Sequence, residues 1–229
     1  MKHITKILIA NRGEIVSRIA RTCRRMGIAT VGIYATPDRR APYVRDVDEA
    51  ICIGDPMGAA SFLAIDTIVA AAVRAGADAV HPGFGFLAEN ADFAQACADA
   101  GLVFIGPSPD AIRRMGSKIE AKKIAAAAGV PVIPGFSAVG LSDAEIQARA
   151  GELGMPVLVK ASAGGGGKGM RVVREQGALA AALASARREA KGAFGDDALL
   201  IERYVDTPRH VEIQILGDGH GHLIHCFER

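Results

Sequence analysis

Several features are scarce or missing in this chain of 229 residues, and each absence argues against a class of protein. The net charge is only +2, with lysine and arginine scattered, so the sequence has no basic patch of the kind that binds nucleic acid. The four cysteines are widely separated and form no C-x-x-C pair, which argues against a zinc site or a disulfide framework. No apolar run approaches the about 18 residues of a membrane span, and the N-terminus lacks signal-peptide character. We therefore expect a cytoplasmic protein that binds neither nucleic acid nor membrane.

The first part of the chain alternates between strand and helix patterns. Apolar residues make up 50% of the sequence and charged residues 23%, which is enough for a proper core. Short apolar runs alternate with amphipathic segments that end at glycine, and this order predicts a parallel sheet covered by helices on both faces. We predict strands at residues 6–10, 29–34, 77–80 and 102–105, and helices at residues 13–26, 65–73 and 90–100.

A second, smaller α+β unit follows a helical linker. A proline after Ser108 and a capping box at Ser117 and Glu120 predict two short helices, the second of which runs through Ala128. The proline- and glycine-rich residues 131–140 indicate a hinge. The patterns then predict helices at residues 142–153 and 176–192, strands at 156–160, 170–173 and 198–204, and a hairpin at 210–216 and 222–227. That hairpin would be marginal alone, so we expect that a covering piece is missing from this sequence.

The most informative stretch is a glycine-rich loop between two predicted strands. Lys160 ends a short apolar strand, and residues 164–167 are four consecutive glycines followed by Lys168. Consecutive glycines let backbone N–H groups close around a polyanion, although glycine runs are more often linkers. A Walker loop would need Ser or Thr after the lysine, where Gly169 stands, and a dinucleotide fingerprint would need more glycines than residues 11–13 supply. The pattern therefore predicts a phosphate-covering flap between antiparallel strands.

Two lysines and one strand end are the candidate ligand contacts. Lys118 is at the first position of a predicted helix, where it could face phosphate oxygens or simply be solvated. Lys160 ends a buried strand, where an ammonium group needs an anion, and phosphate would supply one. Residues 202–205 could recognise adenine through backbone groups, but an ordinary strand end fits the local sequence as well. His210 could be a surface residue, and Glu89 lies at a helix cap, which is seldom a metal site.

Several stretches together resemble biotin carboxylase, the ATP-grasp component of biotin-dependent carboxylases. They cover nearly the whole chain in the family's order: residues 9–15, HPGFGFLAEN at 81–90, 104–107, 115–118, 160–170 and 208–214. Residues 185–191 and 206–210 are similar to the biotin-containing subunits of acyl-CoA carboxylases of the methylcrotonoyl or propionyl type. HPGFGFLAEN and the four glycines favour biotin carboxylase over another ATP-grasp ligase such as a carbamoyl-phosphate synthase half.

The resemblance implies an α/β protein with three parts. These are a Rossmann-like N-terminal domain at residues 1–115, a helical linker with an ATP-grasp lid at 116–204, and the beginning of a truncated C-terminal domain at 205–229. It implies that the two lysines contact the ATP phosphates, the glycines close over them and the strand end meets adenine. Matched by position, the nucleotide-binding residues are Lys118, Lys160, Gly164, Gly165, Gly166, Gly167, Glu202, Arg203, Tyr204, Val205 and His210.

The resemblance also implies a reaction. Bicarbonate attacks the γ-phosphate of ATP to give ADP and carboxyphosphate, and CO₂ released from that intermediate carboxylates the ureido nitrogen of biotin. Magnesium would bridge the phosphate oxygens. The implied partners are ATP, bicarbonate, a biotinylated carrier domain and a carboxyltransferase subunit, with a homodimer formed through the first helix, where Arg18, Arg21 and Arg25 share one face.

The family's reaction centre has no counterpart in these 229 residues. The metal-binding glutamates, the bicarbonate-binding residues and the catalytic arginine of the family lie beyond the position of Arg229. We therefore assign no catalytic and no metal-binding residue here, and we expect the chain alone to be inactive. The alternative is a non-catalytic nucleotide-binding or oligomerisation module.

Overall fold

The computed structural model describes residues 3–55, 59–163 and 169–228. The chain divides into two compact units, Met1–Gly129 and Val130–Arg229. Every helix found in the described ranges falls short of the length and apolarity that a membrane crossing requires.

The first unit is built on a parallel sheet of five strands in the order β3-β2-β1-β4-β5. This confirms the predicted parallel sheet, but β3 was not predicted, because it is a short edge strand with mostly exposed residues. The strands are β1 (Lys6–Ile9), β2 (Ala29–Tyr34), β3 (Glu49–Cys52), β4 (Ala79–His81) and β5 (Val103–Phe104). The helices are α1 (Glu14–Arg25), α2 (Ile65–Arg74), α3 (Ala91–Asp99), α4 (Pro109–Gly116) and α5 (Lys118–Ala127).

Helices cover both faces of this sheet. On one face α1 packs its buried Ile19 and Cys23 against Ile9 of β1. On the other face α2 and α3 pack against Leu8 and Val80. The chain therefore leaves β1 toward one face and leaves its neighbour β4 toward the other. In α/β sheets such a switch point opens a crevice at the carboxyl ends of the strands.

A buried asparagine joins the two loops at this switch point. Asn11 is 2% exposed, and its Nδ2 donates to the carbonyl oxygens of Pro82 at 2.7 Å and Phe84 at 2.8 Å. The second loop carries left-handed backbone at Gly83, with φ 67°, and at Phe86, with φ 44°. A Cβ on Gly83 would lie 2.7 Å from Asn11 Nδ2, so only glycine fits beside the amide. The loop after β4 is thus held in a strained shape by one side chain.

The second unit contains an antiparallel sheet of four strands in the order β6-β9-β7-β8. Its strands are β6 (Gly135–Ser137), β7 (Val157–Ala161), β8 (Arg171–Val173) and β9 (Leu199–Arg203). Helices α6 (Asp143–Leu153) and α7 (Leu179–Phe194) bury one face of it. The helix predicted at residues 142–153 is present as α6 and begins with a capping box of Ser142 and Glu145, and β7 and β8 form the predicted antiparallel pair. The predicted hinge at 131–140 was wrong in part, because residues 135–137 pair with β9 as β6.

The unit ends in the predicted hairpin, formed by β10 (Ile213–Gly217) and β11 (Leu223–Glu228) in antiparallel register. Every residue of both strands is exposed, including apolar side chains on each. Leu223 and Phe227, for example, are 73% and 71% exposed.

Candidate nucleotide-binding site

The two faces of β7 and β9, the central strands of the second sheet, carry different kinds of side chain. Alternate residues of β7 and β9, Val159 and Ile201 among them, point into the core beneath α6 and α7. The other face of the same strands carries Lys160 and Glu202. Leu158 pairs with Glu202 and Lys160 pairs with Leu200, so Lys160 and Glu202 are diagonal neighbours across the two strands.

Lys160 and Glu202 form an ion pair between Nζ and Oε2. The lysine side chain is 20% exposed and the glutamate side chain 8% exposed, so both charges are largely removed from water. The anion that the sequence analysis required for Lys160 is thus supplied within the chain by Glu202. A buried pair of this kind stays charged only because each partner compensates the other.

A cavity of about 360 Å³ lies over this ion pair. Its walls are mainly apolar, and the charged residues among them are Lys160, Glu202 and Arg203. It is lined by Ile133, Leu158, Lys160, Met170, Val172, Glu202, Arg203, Tyr204, Val205 and Pro208. Its size is typical of a small-molecule site, and an apolar wall beside a fixed charge pair suits a ligand that joins a flat ring to a charged group.

The strand end predicted to meet adenine borders the cavity, and most of its amides already have partners. The N–H of Arg203 donates to Pro134 O at 2.9 Å, and the N–H of Tyr204 donates to Pro156 O at 3.0 Å. The N–H of Val205 has no backbone partner within the part of the chain that the structure describes. Val205 is therefore the donor in this segment that a ligand could use.

The remaining predicted contacts are spread over both units. Lys118 is the first residue of α5, as predicted, and is half-buried in the first unit. His210 lies outside the cavity lining, with its side chain 82% exposed and Nε2 at 3.0 Å from Glu212 Oε2. Gly164, Gly165, Gly166 and Gly167 lie outside the described residues. The structure thus brings Lys160 and residues 202–205 together around one cavity.

Gly135 lies beside the cavity residue Glu202 and was not predicted to matter for the site. It pairs with Glu202, and a Cβ at this position would lie 2.4 Å from Ile201 O and 2.8 Å from Glu202 Cγ. Only glycine lets β6 lie this close to β9. A glycine inside a strand often marks such a close approach, but the neighbouring prolines of this segment predict a hinge instead of a strand.

Two family models match almost the whole chain. Residues 3–112 match the biotin carboxylase N-terminal domain, and residues 117–229 match the ATP binding domain of the carbamoyl-phosphate synthase L chain. The biotin carboxylase of Halalkalibacterium halodurans is 52% identical over 225 residues, which are 98% of this chain and 50% of that protein. The chain belongs to the biotin carboxylase family. The resemblance found in the sequence is confirmed, and a carbamoyl-phosphate synthase half is not favoured, because residues 3–112 match the biotin carboxylase N-terminal domain.

Other relatives of this chain agree. The mitochondrial methylcrotonoyl-CoA carboxylase subunit alpha of mouse is 51% identical over 226 residues, which are 99% of this chain and 32% of that protein. A Campylobacter jejuni biotin carboxylase–β-γ-ATP complex superposes with a TM-score of 0.95 at 46% identity, over 99% of this chain and 51% of that one. The biotin carboxylase domain dimer of the Hydrogenobacter thermophilus 2-oxoglutarate carboxylase, in complex with MgADP, ADP and bicarbonate, superposes with a TM-score of 0.93. Its identity is 44%, and the match covers 100% of this chain and 50% of that one. The chain spans about half the length of the biotin carboxylases it matches.

Proposed function

We propose that this chain is the ATP-binding part of an enzyme that uses ATP and bicarbonate to carboxylate biotin. The observation that carries the proposal is the cavity of about 360 Å³ over the Lys160–Glu202 pair. Its apolar walls suit an adenine ring, and Lys160 in its lining is a cation that phosphate oxygens could contact. The solved relatives that hold an ATP analogue or MgADP support the same assignment.

In this proposal, different residues contact different parts of ATP. The adenine ring fills the apolar cavity, where the Val205 amide donates to a ring nitrogen and a backbone carbonyl of residues 202–205 accepts from the exocyclic amine. Lys160 and Lys118 contact the phosphates, His210 lies by the nucleotide, and Gly164, Gly165, Gly166 and Gly167 cover the phosphates. Fixed cations stabilise the charge that develops during phosphoryl transfer.

The described residues contain no group of three or more His, Cys, Asp or Glu side chains that could hold a metal ion. We therefore assign no Mg²⁺ ligand to this part of the protein and derive no step through the metal. Magnesium enters the proposal with the nucleotide, as MgATP.

The wider setting is also part of the proposal. It comprises the division at residues 1–115, 116–204 and 205–229, a cytoplasmic location, and partnership with a biotinylated carrier domain and a carboxyltransferase subunit. We further propose a homodimer through α1. Arg18, Arg21 and Arg25 are exposed on this helix, whereas Ile19 and Cys23 are buried. The relative from Hydrogenobacter thermophilus is described as a dimer.

Calorimetry with ATP tests the nucleotide site. A charge-assisted contact contributes roughly 1.5–3 kcal/mol, so Lys160→Ala should weaken ATP binding by about tenfold or more. Lys191→Ala removes an exposed lysine of α7 outside the cavity lining and should leave the affinity unchanged. Equal ATP affinity in wild type and a folded Lys160→Ala variant would refute the assignment. Bicarbonate-dependent ADP release with free biotin, measured on the full-length protein, separates an enzyme from a non-catalytic module.

A further inference from the structure

We propose that Glu202 is a specificity-determining residue that makes the cavity select nucleotides over free polyphosphate. Its carboxylate neutralises Lys160 when the cavity is empty, so that a polyanion alone gains little there. This inference rests on the proposed ATP-binding function and adds to it a role for the acidic partner of the lysine.

The side chain of Glu202 is more closely surrounded than the charged end of the Lys160 side chain. Glu202 lies on β9 between two neighbouring strands, opposite Gly135 of β6 and opposite Leu158 of β7. The missing side chain at Gly135 lets β6 pack directly against it. The lysine ammonium, in contrast, sits at the end of a flexible four-carbon stem. The carboxylate is thus the more buried member of the pair on the shorter side chain, and the ammonium group is the one that can turn toward a ligand.

Burial distinguishes this pair from ion pairs on the surface of the same unit. The side chains of Lys160 and Glu202 are 20% and 8% exposed, whereas those of Arg174 and Asp206 are 67% and 69% exposed at 3.9 Å. Exposed pairs contribute little because water and salt screen them, but a charge buried without its partner is strongly unfavourable. The charge of Lys160 is therefore committed to Glu202 until a ligand replaces that contact.

Selectivity follows from the contacts that each ligand makes when it replaces the contact between Lys160 and Glu202. Free polyphosphate would bring further negative charge beside the carboxylate of Glu202 and would bury no apolar surface. A nucleotide places its ring against the apolar walls formed by Leu158 and Val172, among others, and this burial offsets the cost of rearranging the ion pair. Without the carboxylate, Lys160 would be an unpaired buried cation open to any polyanion.

The test compares ATP with inorganic tripolyphosphate by calorimetry on the whole chain. Glu202→Gln keeps the shape of the side chain and removes its charge, and it should tighten tripolyphosphate binding by about tenfold, as expected for one charged contact. The affinity for ATP should change less, so the ratio of ATP affinity to tripolyphosphate affinity should fall in this variant. Glu202→Asp keeps the charge and should retain the wild-type preference. Asp206→Asn, which removes a carboxylate from the exposed pair with Arg174, should stay within about twofold of wild type for both ligands.

Two further variants complete the test. Lys160→Gln combined with Glu202→Gln should lose the gain in tripolyphosphate affinity, because the gain comes from the lysine. Should Glu202→Gln not fold, Glu202→Ala offers space for a small carboxylate, and added acetate should weaken tripolyphosphate binding in this variant but not in wild type. Unchanged or weaker tripolyphosphate binding in a folded Glu202→Gln or Glu202→Ala protein overturns the inference. Failure of the wild-type protein to bind ATP overturns the proposed function itself.

Discussion

Asn11→Ala should destabilise the first unit far more than loss of one polar side chain usually does. The substitution removes the donor that two carbonyl groups share, Pro82 O at 2.7 Å in a buried contact and Phe84 O at 2.8 Å in a partly buried one. A buried acceptor left without its donor costs about 1–3 kcal/mol, and the partly buried one costs less because water can reach it. We expect a net loss of about 3 kcal/mol, reduced where release of the loop relaxes the strain at Phe86, with φ 44°.

Hydrogen exchange followed by mass spectrometry can assign this loss to the first unit. Peptides from β1 and β4 should exchange faster in Asn11→Ala, while those from β7 and β9 should not. Asn11→Asp has the same shape but no donor, so it should be at least as damaging. Asn90→Ala is the matched control: it removes one N-cap bond, from Phe93 N at 2.8 Å, and should cost only about 1 kcal/mol. The reasoning fails if Asn11→Ala is no worse than Asn90→Ala, or if Asn11→Asp is as stable as wild type.

Two further results are expected. Gly135→Ala should lower the free energy of unfolding of the second unit by about 1–3 kcal/mol and weaken ATP binding, because its Cβ would lie 2.4 Å from Ile201 O. In the control, Gly151→Ala within α6, the nearest side-chain atom is 3.8 Å away, so denaturation should show no loss of stability. Hydrogen bonds from the Thr30 hydroxyl and amide lower the pKa of Asp48 below its ordinary value of 3.8. The ionised Asp48 therefore stabilises the fold above pH 3.8, and this stabilisation is lost as the pH falls through the lowered pKa. In acid-unfolding experiments, Asp48→Asn should start from a lower free energy of unfolding and depend less steeply on pH.

Local sequence patterns predicted most of the fold, because apolar runs, caps and glycine stops act over a few residues. The strand at residues 29–34 and the helix at residues 142–153 were found where predicted. The two strands that were missed, β3 and β6, are short and pair at the edges of their sheets. Edge strands are specified by a neighbour's hydrogen bonds, which a local pattern does not show.

The candidate site was predictable in part for the same reason. A lysine at a strand end and a nearby glycine run are local features, so Lys160 could be chosen from the sequence. Its pairing with Glu202 depends on the register between β7 and β9, which only the folded sheet reveals. The role of Asn11 escaped prediction because its partners are carbonyl groups of the backbone, and any sequence supplies those.

The alternating faces of β9 have a consequence for how the gene can change. Ile201 belongs to the core beneath the helices, and its neighbour Glu202 belongs to the cavity. An insertion or deletion of a single codon inside β9 would exchange the two faces, so that the carboxylate enters the core and an apolar side chain meets Lys160. Folding and ligand selection would fail together, and no compensating change at one position could restore both. Length variation among descendants of this gene should therefore fall in the connecting loops and spare residues 199–203.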